Sequence, residues 1–337
     1  MYSLDQRIRL LSQWGNTLQK AWNEDALSTI IEQEHLFFPW AVKPFVQIAM
    51  ADVIQILNEN FLYEYVSGYE NKIVSHESQQ IGVIMSCNTP LSGMEMIVPI
   101  LLTGNIMLSK ACDDNRRLLA AIVAMLDSVD ENMKNAVNLN HGVLRGVQKM
   151  IMPCKYAQTN VGNIYIKNKY PTLVLQENYS VAVLTGKETS SQLSLLAKDM
   201  MLYFGMGQGS VKCVMVPSDY NFASLFKAMD EYQHIAGMHH KYLNNLEYQK
   251  TLHLFHSIPF MDQGLMLFTE KRSQLPPMAV MYYQHYDSEE QLQNILLQLD
   301  TTIYHNEGIP KEHFGRANAL KNIMLNQKHA VLSFLLE

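Results

Sequence analysis

Ile81-Gly-Val-Ile-Met-Ser86, followed by Cys87-Asn-Thr-Pro90 and then by the apolar run from Leu91 to Leu102, is the stretch whose reading decides the fold. Its first part is short and β-branched, the mark of a buried strand. Its second part carries apolar residues at helical length and closes at Gly104, a residue suited to the left-handed turn after a helix. Ile106 to Ser109 then reads as a second strand and Arg116 to Leu126 as a second helix. Strand, helix, strand, helix predicts a parallel sheet with right-handed crossovers.

Outward from that core, the first seventy residues read as helices. Leu4, Ile8, Leu11 and Trp14 share one face, and Ala26, Ile30 and Ile31 begin another stripe. A third helix is expected from about Lys43 to Asn58, with Pro44 in its first turn. Downstream, Thr172–Leu175, Ser180–Leu184, Val211–Val216, Gly264–Thr269, Met278–Tyr283 and Thr301–Tyr304 read as strands. Helices are expected at Glu188–Tyr203, Phe222–Tyr232 and Glu289–Leu299. There is no internal repeat, and the lobe boundary is expected near Gly186.

Composition narrows the function. Of 337 residues, 48% are hydrophobic and 17% charged, enough apolar material for a large core and too little charge for a disordered chain. The net charge of −6 argues against non-specific nucleic-acid binding. Met96 to Leu108 is the longest apolar region, but Pro99, Gly104 and Asn105 interrupt it short of the roughly 20 residues that span a bilayer. No signal peptide is expected, since Asp5, Arg7 and Arg9 precede any apolar stretch. The cysteines Cys87, Cys112, Cys154 and Cys213 form no C-x-x-C pair and lie in or beside apolar segments, which points to reduced thiols and a cytoplasmic location.

Six stretches occur in the order found in one known family. They are Ile81 to Gly93, Thr103-Gly-Asn-Ile-Met-Leu-Ser-Lys110, Ser180-Val-Ala-Val-Leu-Thr-Gly186, Tyr203-Phe-Gly-Met-Gly207, Lys241-Tyr-Leu-Asn-Asn245 and Ala279-Val-Met-Tyr-Tyr283. Together they resemble the compact acyl-CoA reductases related to the fatty-acid reductase of bacterial luminescence, the LuxC type, within the aldehyde dehydrogenase superfamily. The resemblance implies an α/β, aldehyde-dehydrogenase-like fold of two Rossmann-like lobes with a helical N-terminal segment. Residues 1–185 would form the helical segment and the cofactor-type lobe, and 186–337 the catalytic-type lobe with a C-terminal tail that packs back on the first lobe. It also implies NADPH as cofactor, an acyl-CoA or acyl-carrier thioester as ligand, and a homodimer.

The family reaction needs a thiolate that captures the acyl group, hydrogen-bond donors for the tetrahedral oxyanion, and a hydride from the nicotinamide. By resemblance, Asn88 takes the place of the oxyanion-hole asparagine. Lys110, at the end of a strand, takes that of the lysine meeting the cofactor's ribose or phosphate, and Thr185 and Gly186 are further cofactor-binding candidates. Read alone, Asn88 is equally a turn residue before Pro90, and Lys110 a surface lysine. Where the family has a cysteine after Phe-Gly-Leu-Gly, this chain has Gln208, and a carboxamide forms no thioester. Ser210 and Cys213 are the neighbouring substitutes, Cys213 falling inside an expected strand. The glycine-containing Ala-Thr-Gly-Ser turn of the family is replaced by Pro153-Cys-Lys-Tyr156, and the acidic, glycine-containing run after Phe314-Gly315 by Leu325-Asn-Gln-Lys-His329. A catalytically impaired or inactive homologue is therefore expected. The alternatives are a reductase with another nucleophile or direct hydride transfer, and an interaction subunit pairing with an intact reductase.

Other motifs read blandly. Gly205-Met-Gly-Gln-Gly209 is followed by a strand, whereas a dinucleotide loop needs a helix there. His234, His239, His240, His253 and His256 lack an acidic partner at zinc spacing and read as loop and helix histidines. Asp113-Asp114 and Glu289-Glu290 read as acidic residues at helix amino ends.

Overall fold

The computed structural model describes residues 2–86, 88–110, 117–140, 144–159, 161–176, 179–271, 275–298, 302–304 and 313–337. The expectations concerning Cys87, Cys112 and Asp113-Asp114 lie outside the described residues. The chain divides into two compact units, Met1–Glu177 with Leu320–Glu337, and Asn178–Ala319.

The first unit opens with five helices: α1 Leu4–Asn23, α2 Ser28–Phe37, α3 Lys43–Ile56, α4 Glu59–Val66 and α5 Glu70–Ser75. Helix α1 starts on a capping box in which Ser3 and Gln6 satisfy each other's backbone. Its expected face is buried, and the Trp14 indole N–H donates to the Ile122 carbonyl at 2.9 Å. Then come β1 Gln80–Ile84, α6 Met94–Leu102, β2 Ile106–Lys110, α7 Arg117–Val129, β3 Val137–Asn140, β4 Lys149–Pro153, α8 Cys154–Ala157, α9 Lys167–Lys169 and β5 Thr172–Leu175. The sheet is wholly parallel, in the order β3-β2-β1-β4-β5. The strand order reverses between β1 and β4, so the crevice beyond their carboxyl ends is the place where such sheets take ligands.

Helix α6 begins later than its apolar run. Leu91 (φ +58°) and Gly93 (φ +110°) are left-handed and hold the chain out of the helix until Met94. The C-terminal segment, expected as a tail, is a helix, Leu320–Leu336, belonging to this unit. Its carboxyl end is fastened by Lys149, whose ammonium donates to the Phe334 carbonyl at 2.9 Å, and by the Asn105 amide on the Leu335 carbonyl.

The second unit contains β6 Ser180–Val183, α10 Ser190–Met201, β7 Val211–Pro217, α11 Ala223–Met229, α12 His240–Phe255, β8 Met261–Asp262, β9 Leu267–Glu270, β10 Val280–Tyr286, α13 Glu289–Leu297 and β11 Thr302–Tyr304. The order is β11-β6-β7-β10-β9-β8, parallel except for the β8–β9 hairpin. The division between units precedes β6, ahead of the boundary expected at Gly186, because β6 pairs with β7 and β11 and so belongs wholly to the second sheet.

Candidate functional site

Asn88 stands half-buried in the loop leaving β1, and the residues after it are tied down. The Thr89 and Ser92 hydroxyls meet at 2.8 Å, and the Ser92 hydroxyl also donates to the Thr89 carbonyl at 2.7 Å. Gly93 donates its N–H to the Glu95 carboxylate at 2.7 Å. Glu95 is fully enclosed, and burial raises its pKa against the pull of these backbone donors. Gly93 is required twice over, by its positive φ and because a Cβ there would lie 1.7 Å from the Met85 methyl. Lys110 ends β2, exposed, opposite Ile84 in the β1 register. The sheet thus brings Asn88 and Lys110 to the same carboxyl edge.

The turn that closes β4 at this edge is Pro153–Cys154, leading directly into α8. It contains no glycine, and Pro153 offers no N–H, so this turn lacks the open backbone that a closely seated pyrophosphate needs.

In the second unit, Gln208 lies half-buried on the loop entering β7. Tyr203, Phe204 and Gly205 ahead of it are consecutively left-handed, with φ of +54°, +56° and +69°. For two non-glycine residues this conformation costs about 1–2 kcal/mol each, and it persists because the surroundings hold it. Phe204 is buried between His239 and Tyr242, with ring centroids 4.6 and 5.3 Å away, and the Lys212 ammonium donates to the Gly205 carbonyl.

The other side of the loop is strapped. A Cβ on Gly209 would lie 1.7 Å from the Ala317 carbonyl oxygen, and one on Gly207 2.1 Å from Asn318 Oδ1. Ser210 is fully buried and donates its hydroxyl to Asn318 Oδ1 at 3.1 Å. Asp199 in turn accepts the N–H groups of Gly315 at 2.5 Å and Ala317 at 2.9 Å. Burial pushes its carboxyl up to about 7, with these donors pulling the other way.

Neither neighbouring substitute for a nucleophile is presented. The Ser210 hydroxyl is enclosed and engaged. Cys213 is inside β7, 2% exposed, and burial pushes its thiol up to about 12, the reverse of what a nucleophilic thiolate requires. Cys154 is half-exposed at the start of α8.

Thr185 and Gly186 follow β6, and their amides are occupied from within. The Glu188 carboxylate accepts the Thr185 N–H and hydroxyl at 2.6 and 2.9 Å and the Gly186 N–H at 3.1 Å. While it does so, those donors are closed to a cofactor phosphate. The signal was present in the sequence: Thr185-Gly-Lys-Glu188 has the Thr-x-x-Glu spacing of a capping box. Strands β6 and β7 run parallel, so Thr185 leaves the carboxyl edge while Gln208 enters at the amino edge. A strand length, on the order of 10 Å or more, separates the two edges.

Two of the histidines serve structure. His239 caps α12, its Nδ1 accepting the Tyr242 N–H at 3.1 Å, and His253 Nδ1 bonds the Gln249 carbonyl at 2.8 Å. Among the described residues no group of three His, Cys, Asp or Glu could hold a metal ion, and no helix is long and apolar enough to cross a membrane.

No protein-family model and no curated protein sequence matches this chain. Solved structures do. An NAD-dependent benzaldehyde dehydrogenase from Corynebacterium glutamicum superposes with a TM-score of 0.64 and 10% identity, over 97% of this chain and 84% of that one. A lactaldehyde dehydrogenase superposes with a TM-score of 0.61 and 12% identity, over 94% of this chain and 78% of that one. At such identities the likeness is one of fold, and the fold is aldehyde-dehydrogenase-like.

Proposed function

We propose that this chain is a divergent acyl-CoA reductase-like protein of the LuxC type in which covalent catalysis is impaired or lost. The family reaction reduces an acyl-CoA thioester to an aldehyde through a cysteine thioester, using NADPH. One observation carries the reading: the loop entering β7 holds Gln208, its serine is sealed against Asn318, and the cysteine nearest in sequence is a core residue with a raised pKa. No group there can form the thioester.

On the acyl side, Asn88 keeps the character of an oxyanion donor, a side-chain amide on a loop pinned by Thr89, Ser92 and Glu95. A nicotinamide dinucleotide, which would supply the hydride, fits the sheet topology and the Lys110 charge. It does not fit the Pro153–Cys154 turn, nor the Thr185 and Gly186 amides that Glu188 already fills. The retained role is therefore the holding of an acyl-CoA or acyl-carrier thioester without turnover.

The test is mass spectrometry of the wild-type protein after exposure to a CoA ester, beside NADPH consumption that depends on that ester. Neither an adduct nor consumption is expected, while the CoA ester should raise the thermal midpoint. An acyl adduct that NADPH discharges would overturn the proposal. An unchanged midpoint would reject the ligand-holding role and favour an interaction subunit that partners an intact reductase.

A further inference from the structure

A cavity lies in the first unit, at the amino ends of β1 and β2, the edge of the sheet opposite Asn88 and Lys110. Its volume is about 310 Å³, and it is walled by the start of α1, the link from α5 to β1 and the turn from α6 to β2. In a chain with 32 acidic and 26 basic residues, none of the ten residues lining it is Asp or Glu.

Arg7 forms one wall. It is only 7% exposed, and burial lowers its pKa with no acidic group opposing the shift. Its Nη1 donates to the Leu102 carbonyl at 2.7 Å, at the carboxyl end of α6, and its Nε reaches the Ser3 carbonyl at 3.5 Å. A guanidinium carries five N–H donors, so these two acceptors leave several over. Gly104 makes room for it: a Cβ there would lie 2.4 Å from Arg7 Nη1.

His76 lines the same space with a defined tautomer. Its Nε2 meets Asn105 Oδ1 at 2.9 Å, and that oxygen also accepts the Gln79 N–H at 2.8 Å. An acceptor opposite puts a proton on Nε2, so that in the neutral ring Nδ1 is the remaining acceptor. Ser3 Oγ accepts the Gln6 N–H and keeps its own proton to donate. The amino end of the 20-residue helix α1 adds a positive field. Of the acids on the elements around it, Asp5 in the first turn of α1 accepts the Tyr63 hydroxyl at 3.3 Å, and Asp130 accepts the Tyr2 hydroxyl at 2.6 Å and the Asn132 N–H.

We propose that this cavity binds a phosphate group, its charged oxygens on the Arg7 fork and the Ser3 hydroxyl, and its protonated oxygen donating to His76 Nδ1. Guanidinium geometry suits a tetrahedral oxyanion, and the unused imidazole acceptor calls for a P–OH that sulfate lacks near neutral pH.

Val74, 74% exposed at the rim, gives a test that leaves the core untouched. Inorganic phosphate affinity is measured by phosphorus NMR and thermal midpoint at constant ionic strength, with chloride and sulfate as comparisons, for wild type, V74E and V74K. Saturable binding of phosphate is expected, tighter than sulfate, roughly tenfold weaker in V74E and a few-fold tighter in V74K. Arg7→Lys keeps the charge but loses the fork, and should also weaken binding. Stabilisation no greater than with chloride, sulfate binding as tight as phosphate, or affinity indifferent to the charge at position 74 would each overturn the assignment.

Discussion

The Glu188 carboxylate grips Thr185 through one oxygen and Gly186 through the other, at 2.6 and 3.1 Å. An acidic side chain thereby fills the two amides that, on resemblance, would face a cofactor. Glu188→Ala should cost about 0.5–1.5 kcal/mol, the net worth of hydrogen bonds whose donors, half-buried at Thr185 and exposed at Gly186, can turn to water, and Glu188→Gln should cost less because its carbonyl oxygen still accepts. Urea titration of the three proteins checks the order. Equal losses in both variants would mean that the negative charge, and not the acceptor, holds the loop.

Asp199 makes stability depend on pH. Its folded-state pKa of about 7 lies above the ordinary carboxylate value of 3.8, so the folded chain binds this proton more tightly than the unfolded chain. Its contribution is full below about pH 4 and is lost as pH rises to about 7, then level above. Denaturant midpoints across that range should fall with pH in the wild type and fall less in Asp199→Asn. Identical slopes would remove Asp199 as the cause.

Two glycines of the second unit should behave differently for a physical reason. Gly209→Ala drives a methyl into the Ala317 carbonyl and should cost about 1–3 kcal/mol or more while loosening the strap. Gly264 has φ +97° and open space around it, so Gly264→Ala should cost only the left-handed penalty of about 1–2 kcal/mol. Limited proteolysis near residues 313–318 should accelerate in G209A alone.

Gln208→Cys tests the acyl side of the proposed site directly. On the proposed role of Asn88, the Q208C protein should acquire an acyl adduct from a CoA ester, and Asn88→Ala added to it should slow acylation by roughly 10²–10³-fold. Acylation indifferent to Asn88 would remove the oxyanion role.

Trp14 measures the helical layer of the first unit. It is fully buried and donates to Ile122, so Trp14→Ala should cost about 3–5 kcal/mol. Thermal unfolding with tryptophan fluorescence and circular dichroism reads the loss.

Much of the fold was legible because its elements are locally patterned. The Leu4–Trp14 face, the Pro44 start of α3, the strands at β1, β2 and β7, and the helix from Glu289 stand where their periodicity puts them. The short strands β3 and β4 and the helix α12 were not marked. Helix α12 has Tyr248, Leu254 and Phe255 exposed and Gln249 and His253 buried, so its apolar residues do not trace a core-facing stripe. That residue 208 is a glutamine was also legible, since it is a matter of residue identity.

The amino-acid order by itself determined the alternation of strands and helices and the absence of a cysteine at the β7 loop, because periodicity and functional-group chemistry are local properties. Only the tertiary structure decided that β5 and β6, close in the chain, join different sheets, that Thr185 and Gln208 leave and enter the second sheet at opposite edges, and that Ser210 is sealed by Asn318. Those outcomes depend on which distant strand supplies a hydrogen-bonding partner and which distant side chain reaches a buried polar atom. Neither is encoded in the spacing of neighbouring residues.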